Sequence, residues 1–301
     1  MPKGDIMNIK KWLKNNTASL SGKTVAISGS TGGIGRELCR YLAMLGADLV
    51  LIDRDQNKSM ALEEKLKADF PSLKVIRVKA DMSEPQTVTH ACDTLRSLPI
   101  DILILNAGAY SIPRKICDSG YDNVFQINFV SPYRMVIELL PLLRERGGRV
   151  VVVGSIAHNY SHSDPADVDF STRTKASLVY GNSKRYLMFT LSQLFENEKN
   201  VSLAITHPGI TFTNITAHYP KLIFAVIKHP MKVIFPPPRK ACLSILKGVF
   251  EETNGCEWIG PSCFNVWGSP KKQRLTTVKG DELEYFAGFN VKSDWTVRKE
   301  T

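Results

Sequence analysis

Several features that would place this chain in common protein classes are missing from its sequence. No apolar run approaches the ~18 residues that a membrane-spanning helix needs, and the first twenty residues contain no continuous apolar stretch of signal-peptide length. Six cysteines are present, but none forms a Cys-x-x-Cys pair, which favours reduced core thiols over disulfides or a metal centre. These absences predict a cytoplasmic globular protein without a metal site.

Acidic residues are scarce in one long stretch of the chain. The net charge is +10, and no Asp or Glu occurs from Lys199 through Phe250. The basic excess fits a solvated basic face, an acidic ligand or an anionic membrane surface. No nucleic-acid-binding motif accompanies it. The basic residues of this stretch are Lys199, Lys221, Lys228, Lys232, Arg239, Lys240 and Lys247.

Apolar, β-branched segments alternate with segments of helical spacing over the first two-thirds of the chain. This alternation predicts an α/β fold, in which a doubly wound parallel sheet is covered by helices on both faces. The predicted strands are 23–28, 48–53, 73–81, 101–108, 149–155 and 201–209, and the clearest helices are 37–47, 118–144 and 178–198. We expect a basic N-terminal extension over 1–20, one domain over 21–265 and a polar, irregular tail over 266–301.

The segment 28–35 follows the first predicted strand directly and opens the first predicted helix. In this context a glycine-rich loop indicates dinucleotide binding, because the helix N-terminus offers unpaired N–H groups to phosphates. Gly29 is expected to make the tight turn, Gly33 to let the backbone approach a pyrophosphate, and Gly35 to let the helix pack closely.

Two acidic residues lie at the ends of the next strands. Asp53 ends the second strand, where a carboxylate can bind the ribose hydroxyls of NAD and repel the 2′-phosphate of NADP. Arg54 could instead bind that phosphate, so the sequence favours NAD and keeps NADP as the alternative. Asp81 ends the third strand and is placed either to meet the adenine or to cap the strand.

Six short motifs in a fixed order resemble those of the short-chain dehydrogenase/reductase family over residues 22–260. The family's glycine motif has Ser28 in place of its Thr, and its Asn-Asn-Ala-Gly motif has Leu105 at its first position. The resemblance implies a Rossmann fold and an NAD(P)-dependent oxidoreductase acting on CH–OH groups. The six motifs are Ser28-Gly29-x-x-x-Gly33-Ile34-Gly35, Leu105-Asn106-Ala107-Gly108, Asn128, Ser155, Tyr180-x-x-x-Lys184 and Pro208-Gly209-x-x-x-Thr213.

The resemblance assigns catalysis to Asn128, Ser155, Tyr180 and Lys184. Tyr180 and Lys184 lie one helical turn apart, and a nearby ammonium is expected to lower the phenol pKa for proton exchange with the substrate oxygen. Ser155 can polarise that oxygen, while Asn128 holds a relay water or only bonds backbone. Asn106 is expected to brace the cofactor loop. The assigned cofactor residues are Ser28, Gly29, Ser30, Gly33, Ile34, Gly35, Asp53, Arg54, Asp81, Asn106, Ala107, Gly108, Tyr180, Lys184, Pro208, Gly209, Thr211 and Thr213.

The 25-position separation of Ser155 and Tyr180 resembles that of retinol-dehydrogenase-like members, which act on lipophilic alcohols and ketones. By the same resemblance, the apolar and basic segment 210–240 is a substrate lid. The substrate is therefore expected to be steroid-, retinoid- or lipid-like. Relatives often form homodimers through the helices near 118–144 and 178–198. The histidines at 158, 162 and 207 have no metal-like spacing.

Two alternatives remain open from the sequence. The first is a non-catalytic NAD(P)-binding regulator, although such a protein has no need of a proton donor. The second is a peripheral membrane protein of the same fold. Ile6, Ile9, Trp12 and Leu13 alternate with lysines near the N-terminus, as on an interfacial helix, or else they pack on the body of the protein.

Overall fold

The computed structural model describes residues 8–211, 236–255, 257–275, 280–289 and 291. Thr213, Cys256 and most of the segment 210–240 lie outside the described residues. Within the described ranges the strands are β1 Thr24–Ser28, β2 Asp48–Asp53, β3 Val75–Lys79, β4 Ile102–Leu105, β5 Arg149–Val153, β6 Ser202–Thr206, β7 Glu257–Cys263 and β8 Trp267–Arg274.

These strands form a single sheet in the order β3-β2-β1-β4-β5-β6-β7-β8. The first seven strands are parallel, and β8 runs antiparallel to β7. Strand β1 lies between β2 and β4. The chain builds the sheet outward from β1 through β2 and β3, and then continues from β4 on the other side of β1. Ligands bind at the carboxyl ends of the strands beside such a switch point.

Helices cover both faces of the sheet, as the alternating pattern predicts. Consecutive strand residues point to opposite faces: Ala26 packs with the core on one side and Val25 with the core on the other. The helices are α1 Ile9–Asn16, α2 Gly33–Met44, α3 Gln56–Asp69, α4 Pro85–Leu95, α5 Asn123–Phe125, α6 Ser131–Glu145, α7 Ala176–Leu194, α8 Pro238–Ala241, α9 Leu243–Phe250 and α10 Gly280–Gly288. None of these described helices is long and apolar enough to cross a bilayer.

The predicted doubly wound parallel sheet is confirmed, and β1 to β6 each fall within a predicted strand. The expectation of an irregular tail after about 265 is wrong. Residues 267–274 form β8, which pairs with β7, and residues 280–288 form a helix. The predicted boundary at 265 therefore falls inside a hairpin of the main sheet.

The N-terminal helix α1 packs on the body of the protein. Trp12 and Leu13 are buried in the same core as Leu38 and Leu42 of α2, whereas the lysines of α1 face solvent. An interfacial helix would need Trp12 and Leu13 free to enter a membrane, so that interpretation of these two residues is wrong.

Helix α10 covers part of the outer surface of α7. The Tyr186 hydroxyl lies 2.6 Å from that of Tyr285, and Phe286 and Phe289 pack against the Tyr186 ring with centroids 5.1 and 4.9 Å away. The Arg185 guanidinium, which is buried, pairs with Glu282 of α10. The C-terminal helix is thus fixed to the helix that carries Tyr180 and Lys184.

We predict that Phe286→Ala lowers the free energy of unfolding by about 3–5 kcal/mol, because the buried ring leaves a cavity among other aromatic rings. Urea denaturation measures this loss. The matched control is Glu284→Ala on the exposed side of the same helix. Equal denaturation midpoints for the two variants would contradict the docking of α10.

Candidate active site

The glycine loop connects the carboxyl end of β1 to α2, and two of its glycines are required by close backbone contacts. Gly29 has a φ of +67°, and a Cβ there would lie 2.9 Å from the Ala107 Cα. A Cβ on Gly35 would lie 2.4 Å from the Gly29 carbonyl oxygen and 2.7 Å from that of Ser30. Gly35 therefore packs against the loop itself rather than against the sheet.

Helix α2 begins without a side chain that satisfies its first N–H groups. Its N-cap residue is Gly32, which makes no side-chain cap bond, and its first turn carries no acidic residue. Unpaired N–H groups and the positive end of the helix dipole together favour a phosphate. A narrow glycine cradle followed by an uncapped helix fits the pyrophosphate of a dinucleotide.

Asn106 braces this loop from the end of β4. Its side-chain amide donates to the carbonyl oxygens of Ser28 and Gly29 at 3.0 and 2.9 Å. The Ser28 hydroxyl in turn accepts the backbone N–H groups of Asn106 and Ala107 at 3.1 and 3.0 Å. The bracing contact that the motif implied is therefore present and reciprocal.

Asp53 lies beneath the glycine loop. It is buried, and its carboxylate accepts hydrogen bonds from the hydroxyls of Ser30, Thr31 and Ser59 and from the Thr31 N–H. The expectation from sequence was a carboxylate facing the ribose. In the structure both carboxylate oxygens are held by the loop and by α3, so Asp53 first of all fixes the loop conformation.

A cavity of about 600 Å³ lies beside the ends of β2 and β3, where the sequence predicted the adenosine of the cofactor. Arg54 and Lys79 contribute two cations to its lining, against three carboxylates from Asp55, Asp81 and Glu84. Asp81 also accepts the N–H and hydroxyl of Ser83, both at 2.8 Å, so it caps the strand end while lining the cavity.

Ser155, Tyr180 and Lys184 meet at the carboxyl end of β5. Ser155 follows β5 and caps a 3₁₀ turn, Ile156–Tyr160, and its side chain lies close enough to the Tyr180 phenol to influence the pKa of that group. The Lys184 ammonium is buried, donates to the Val153 carbonyl oxygen at 2.8 Å and lies 5.8 Å from the centre of the Tyr180 ring. The structure thus brings together three of the four predicted catalytic residues in direct contact or close approach.

The protonation properties of this group differ from expectation. Burial raises the pKa of Tyr180 to about 12, although the Ser155 hydrogen bond opposes the rise. Burial also lowers the pKa of Lys184 to about 8. The predicted lowering of the Tyr180 pKa is wrong, because burial disfavours the phenolate and the Lys184 ammonium donates to the Val153 carbonyl oxygen.

Asn128 lies in a π-helical turn, Gln126–Val130, between α5 and α6; such turns often occur at functional sites. Its amide donates to the Ala109 carbonyl oxygen at 2.8 Å and accepts the Ala109 N–H at 2.9 Å. A Cβ on Gly108 would lie 3.0 Å from the Asn128 Oδ1 and 3.6 Å from the Lys184 Nζ. Of the two alternatives for Asn128, the backbone contact is present, and it holds the amide close to the lysine.

Three further side chains lie at this site, although the sequence alone did not assign them to it. The Tyr110 ring stands edge-to-face against Tyr180, with centroids 5.3 Å apart. His158 and His207 are both buried against Trp258. Two of them could have been suspected from their positions next to motifs. Tyr110 closely follows the 105–108 motif, and His207 directly precedes Pro208.

The two histidines hold backbone on either side of the site. The His158 Nδ1 lies 2.6 Å from the Ser155 carbonyl oxygen, and the His207 Nδ1 accepts the Gly209 N–H at 3.2 Å. Burial lowers the pKa of His158 to about 4 and that of His207 to about 3, so both are neutral at pH 7. Among the residues that the structure describes, no cluster of His, Cys, Asp and Glu could hold a metal ion.

The Pro208-Gly209 motif lies at the end of β6, beside the β7–β8 hairpin. Gly209 has a φ of +75°, and the Thr211 hydroxyl donates to the Pro236 carbonyl oxygen at 2.6 Å. Thr211 therefore joins the two ends of the segment that was expected to form the lid. Thr213, assigned to the same motif, lies outside the described residues.

Comparison with known proteins assigns the family. The short chain dehydrogenase family model matches residues 23–221. The short chain dehydrogenase resG from Aspergillus sclerotiorum is 34% identical over 229 residues, which is 65% of this chain and 64% of that protein. Retinol dehydrogenase 12 from Mus musculus is 30% identical over 203 residues, 65% of this chain and 64% of the relative. The chain belongs to the short-chain dehydrogenase/reductase family, as its motifs predicted.

The matched region spans less than two-thirds of the length of either relative. The fold is also shared with a solved short-chain dehydrogenase from Sphingobium yanoikuyae in complex with NADPH. That structure is 24% identical, has a TM-score of 0.58, and the match covers 75% of this chain and 84% of that one. Members of the family use NAD or NADP, and the cradle between β1 and α2 fits either.

We predict that Asp53→Asn lowers kcat/KM about tenfold for NADH and NADPH alike, because asparagine has only one acceptor oxygen for the hydroxyls that hold the loop.

The wild-type protein should prefer NADH, since the carboxylates around the adenosine cavity outnumber the cations. Initial rates with both cofactors measure both effects. Arg54→Ala is the control, and it should leave the NADH rate unchanged.

A variant at Asp53 that loses NADH selectively and gains NADPH would contradict the loop-fixing role. It would show that the carboxylate acts on the ribose, as the sequence alone suggested. A wild-type preference for NADPH would show that Arg54 outweighs the carboxylates.

Proposed function

We propose that this protein is an NAD(P)-dependent oxidoreductase that interconverts a lipophilic alcohol and its carbonyl compound. The observation that carries the proposal is the close approach of Tyr180 and the buried Lys184, 5.8 Å from ring centre to ammonium, beside Ser155 at the same sheet edge as the glycine cradle. A non-catalytic regulator needs the cradle but has no use for a buried proton donor next to it, so the enzyme is the better explanation.

The cofactor would be held by the glycine loop and the strand ends. Gly29 and Gly35 let the loop close tightly at the start of α2, where the pyrophosphate would bind, and Asn106 keeps that loop in place. The remaining contacts would come from the residues that the motifs assign: Ser28, Ser30, Gly33, Ile34, Asp53, Arg54, Asp81, Ala107, Gly108, Tyr180, Lys184, Pro208, Gly209, Thr211 and Thr213.

When bound, the nicotinamide supplies or accepts the hydride, and the residues of this chain manage the proton. With its pKa raised to about 12, Tyr180 is a neutral phenol at pH 7 and can donate its proton to a carbonyl oxygen. Ser155 is placed to hydrogen bond to the same oxygen and so to orient it. Lys184, still largely protonated at pH 7, lies 5.8 Å from the Tyr180 ring centre, and its charge would offset part of the cost that burial imposes on the phenolate that remains.

Asn128 is a positioning residue in this scheme. Its two hydrogen bonds fix the backbone of Ala109, and its amide lies close to Lys184. A water held there would complete a relay that returns a proton to Tyr180 through Lys184.

A lipophilic substrate is supported by the sequence of the lid and by one relative. The segment 210–240 follows the Pro208-Gly209 motif and is apolar and basic, and the relative from Mus musculus is named as a retinol dehydrogenase. The Tyr110 ring beside Tyr180 adds an aromatic surface at the reacting centre. The lysines of the lid would favour an anionic group on the substrate.

We further propose a cytoplasmic protein that touches membranes peripherally. A homodimer through α6 and α7 is the arrangement that the family suggests. The surface of α7 around Tyr186 is already covered by α10 of the same chain, so such a dimer would use the remaining surfaces of the two helices.

Tyr180→Phe should lower kcat at least 100-fold, because it removes the proton donor and keeps the ring. The dissociation constant for NADH, measured by fluorescence titration, should stay within about threefold of wild type, since most of the binding contacts are elsewhere. Tyr133→Phe on α6 is the matched control. A variant at Tyr180 that keeps more than a few per cent of wild-type kcat would exclude the proposed proton transfer.

Alcohol oxidation should accelerate with rising pH. The oxidation direction needs the phenolate of Tyr180, whose fraction grows about tenfold per pH unit below its raised pKa. Carbonyl reduction needs the neutral phenol, so Tyr180 should impose no decrease on it between pH 6 and 9. Profiles of kcat/KM in both directions test this. An oxidation rate that levels off near pH 7 would show a Tyr180 pKa near neutrality.

Among ketones of matched reactivity, kcat/KM should increase with chain length, because each buried methylene contributes about 0.8 kcal/mol. A terminal carboxylate should help more at low salt than at high salt if the lid lysines contact it. If short polar sugars prove the best substrates, the lipophilic assignment is wrong. If kcat/KM depends on chain length but not on charge, the proposed anionic group on the substrate is wrong and the lipophilic assignment stands.

A further inference from the structure

The turn between β7 and β8 has an unfavourable residue at its tip. Phe264 and Asn265 both have positive φ angles, 52° and 56°, as in the two-residue turns that connect tightly paired strands. Asn and Gly are the usual residues at such positions, and a bulky aromatic side chain is disfavoured there. Replacing the phenylalanine would relieve this strain, so the folding of the hairpin does not explain its presence.

Phe264 also contributes little to the core. Its side chain is 85% exposed, more than any other large hydrophobic side chain in the described part of the protein. By comparison, the exposed methionines Met44 of α2 and Met60 of α3 are 47% and 43% exposed. A side chain that is both strained and fully in solvent suggests a role toward something outside the chain.

The tip of the turn follows the carboxyl end of β7, so it lies at the same edge of the sheet as the active site. A Cβ on Gly209 would lie 3.1 Å from the carbonyl oxygens of both Asn265 and Val266, so the turn rests against the motif assigned to the nicotinamide. The next most exposed large apolar side chains, Tyr160 and Ile116, are 64% and 59% exposed. They lie on the segments that follow β5 and β4, at the same edge.

Along β8, away from the turn, the exposed side chains change from apolar to aromatic to basic. Trp267, which pairs across the hairpin with Cys263, is 41% exposed. Lys271 follows on the exposed strand β8, about 13 Å further along at ~3.3 Å per residue. Its neighbour Lys272 points to the opposite face of the strand, and its ammonium lies 3.8 Å from the Glu257 carboxylate. No Asp or Glu occurs from 258 through 280. An apolar tip, then tryptophan, then lysine is the order in which a bilayer presents hydrocarbon, interface and headgroups.

We propose that the β7–β8 hairpin docks the catalytic edge of this protein on an anionic lipid bilayer. Phe264 enters the hydrocarbon boundary, Trp267 lies at the interface, and Lys271 contacts the headgroups. A second copy of the chain fits this surface less well, because pairing two such hairpins would bring like charges together. The proposal specifies the site of the peripheral membrane contact proposed above, and it does not depend on the proposed chemistry.

Vesicle co-sedimentation tests the proposal on the full chain. Vesicles of phosphatidylcholine with about 30% phosphatidylserine should pellet the wild-type protein, and vesicles of phosphatidylcholine alone should do so much less. Phe264→Asn should reduce the partition coefficient on the anionic vesicles at least tenfold. Lys271→Gln should also reduce the partition coefficient and should weaken its salt dependence.

The matched control is Met44→Asn, which removes a 47% exposed apolar side chain at the last residue of α2, the end of that helix opposite the catalytic edge, and should leave partitioning unchanged. Phe264→Asn should raise the unfolding temperature, because asparagine tolerates the positive φ, so weaker binding by that variant cannot come from misfolding. Wild-type protein that stays in the supernatant, or Phe264→Asn protein that pellets like wild type, would overturn the proposal. A wild-type dimer that Phe264→Asn converts to a monomer, without vesicle binding, would assign the surface to a second copy instead.

Discussion

The reciprocal hydrogen bonds between the ends of β1 and β4 are the interaction on which the site depends. Asn106 donates to two carbonyl oxygens of the glycine loop, and Ser28 accepts two N–H groups from the segment after β4. Because β1 and β4 are neighbours at the switch point of the sheet, these bonds join the segment leading to the catalytic residues to the cofactor cradle. Hydrogen bonds within the protein therefore determine the shape of the cofactor cradle.

Most of the fold could be predicted from the sequence, because buried parallel strands are continuous apolar runs between turns. The last two strands could not. β7 contains Gly260 and Pro261, and β8 contains Pro270 among charged residues, so neither has the pattern of a strand. Their pairing is determined by the position of β6 and by the hairpin between them, which are tertiary constraints. Nothing in the sequence around the aromatic residues of α10 indicates that they pack against α7.

Within the site, residue positions could be predicted better than side-chain directions. Asp53 lies at the predicted strand end, but its hydrogen-bond partners are scattered along the sequence, so its inward orientation could not be anticipated. Lys184 is likewise one helical turn from Tyr180, yet a backbone carbonyl oxygen of β5 binds its ammonium. Burial then decides both pKa shifts, and burial depends on packing that motif spacing does not encode.

The most direct test of this account is the binding of NADH to Asn106→Ala, measured by isothermal titration calorimetry. Two lost hydrogen bonds correspond to about 1–3 kcal/mol, or roughly a 5- to 150-fold weaker affinity, if the brace shapes the cradle. The urea denaturation midpoint should fall as well, since the two carbonyl oxygens lose their donor. Wild-type affinity for NADH in a folded Asn106→Ala variant would show that the cradle forms without the brace, and the central claim would be wrong.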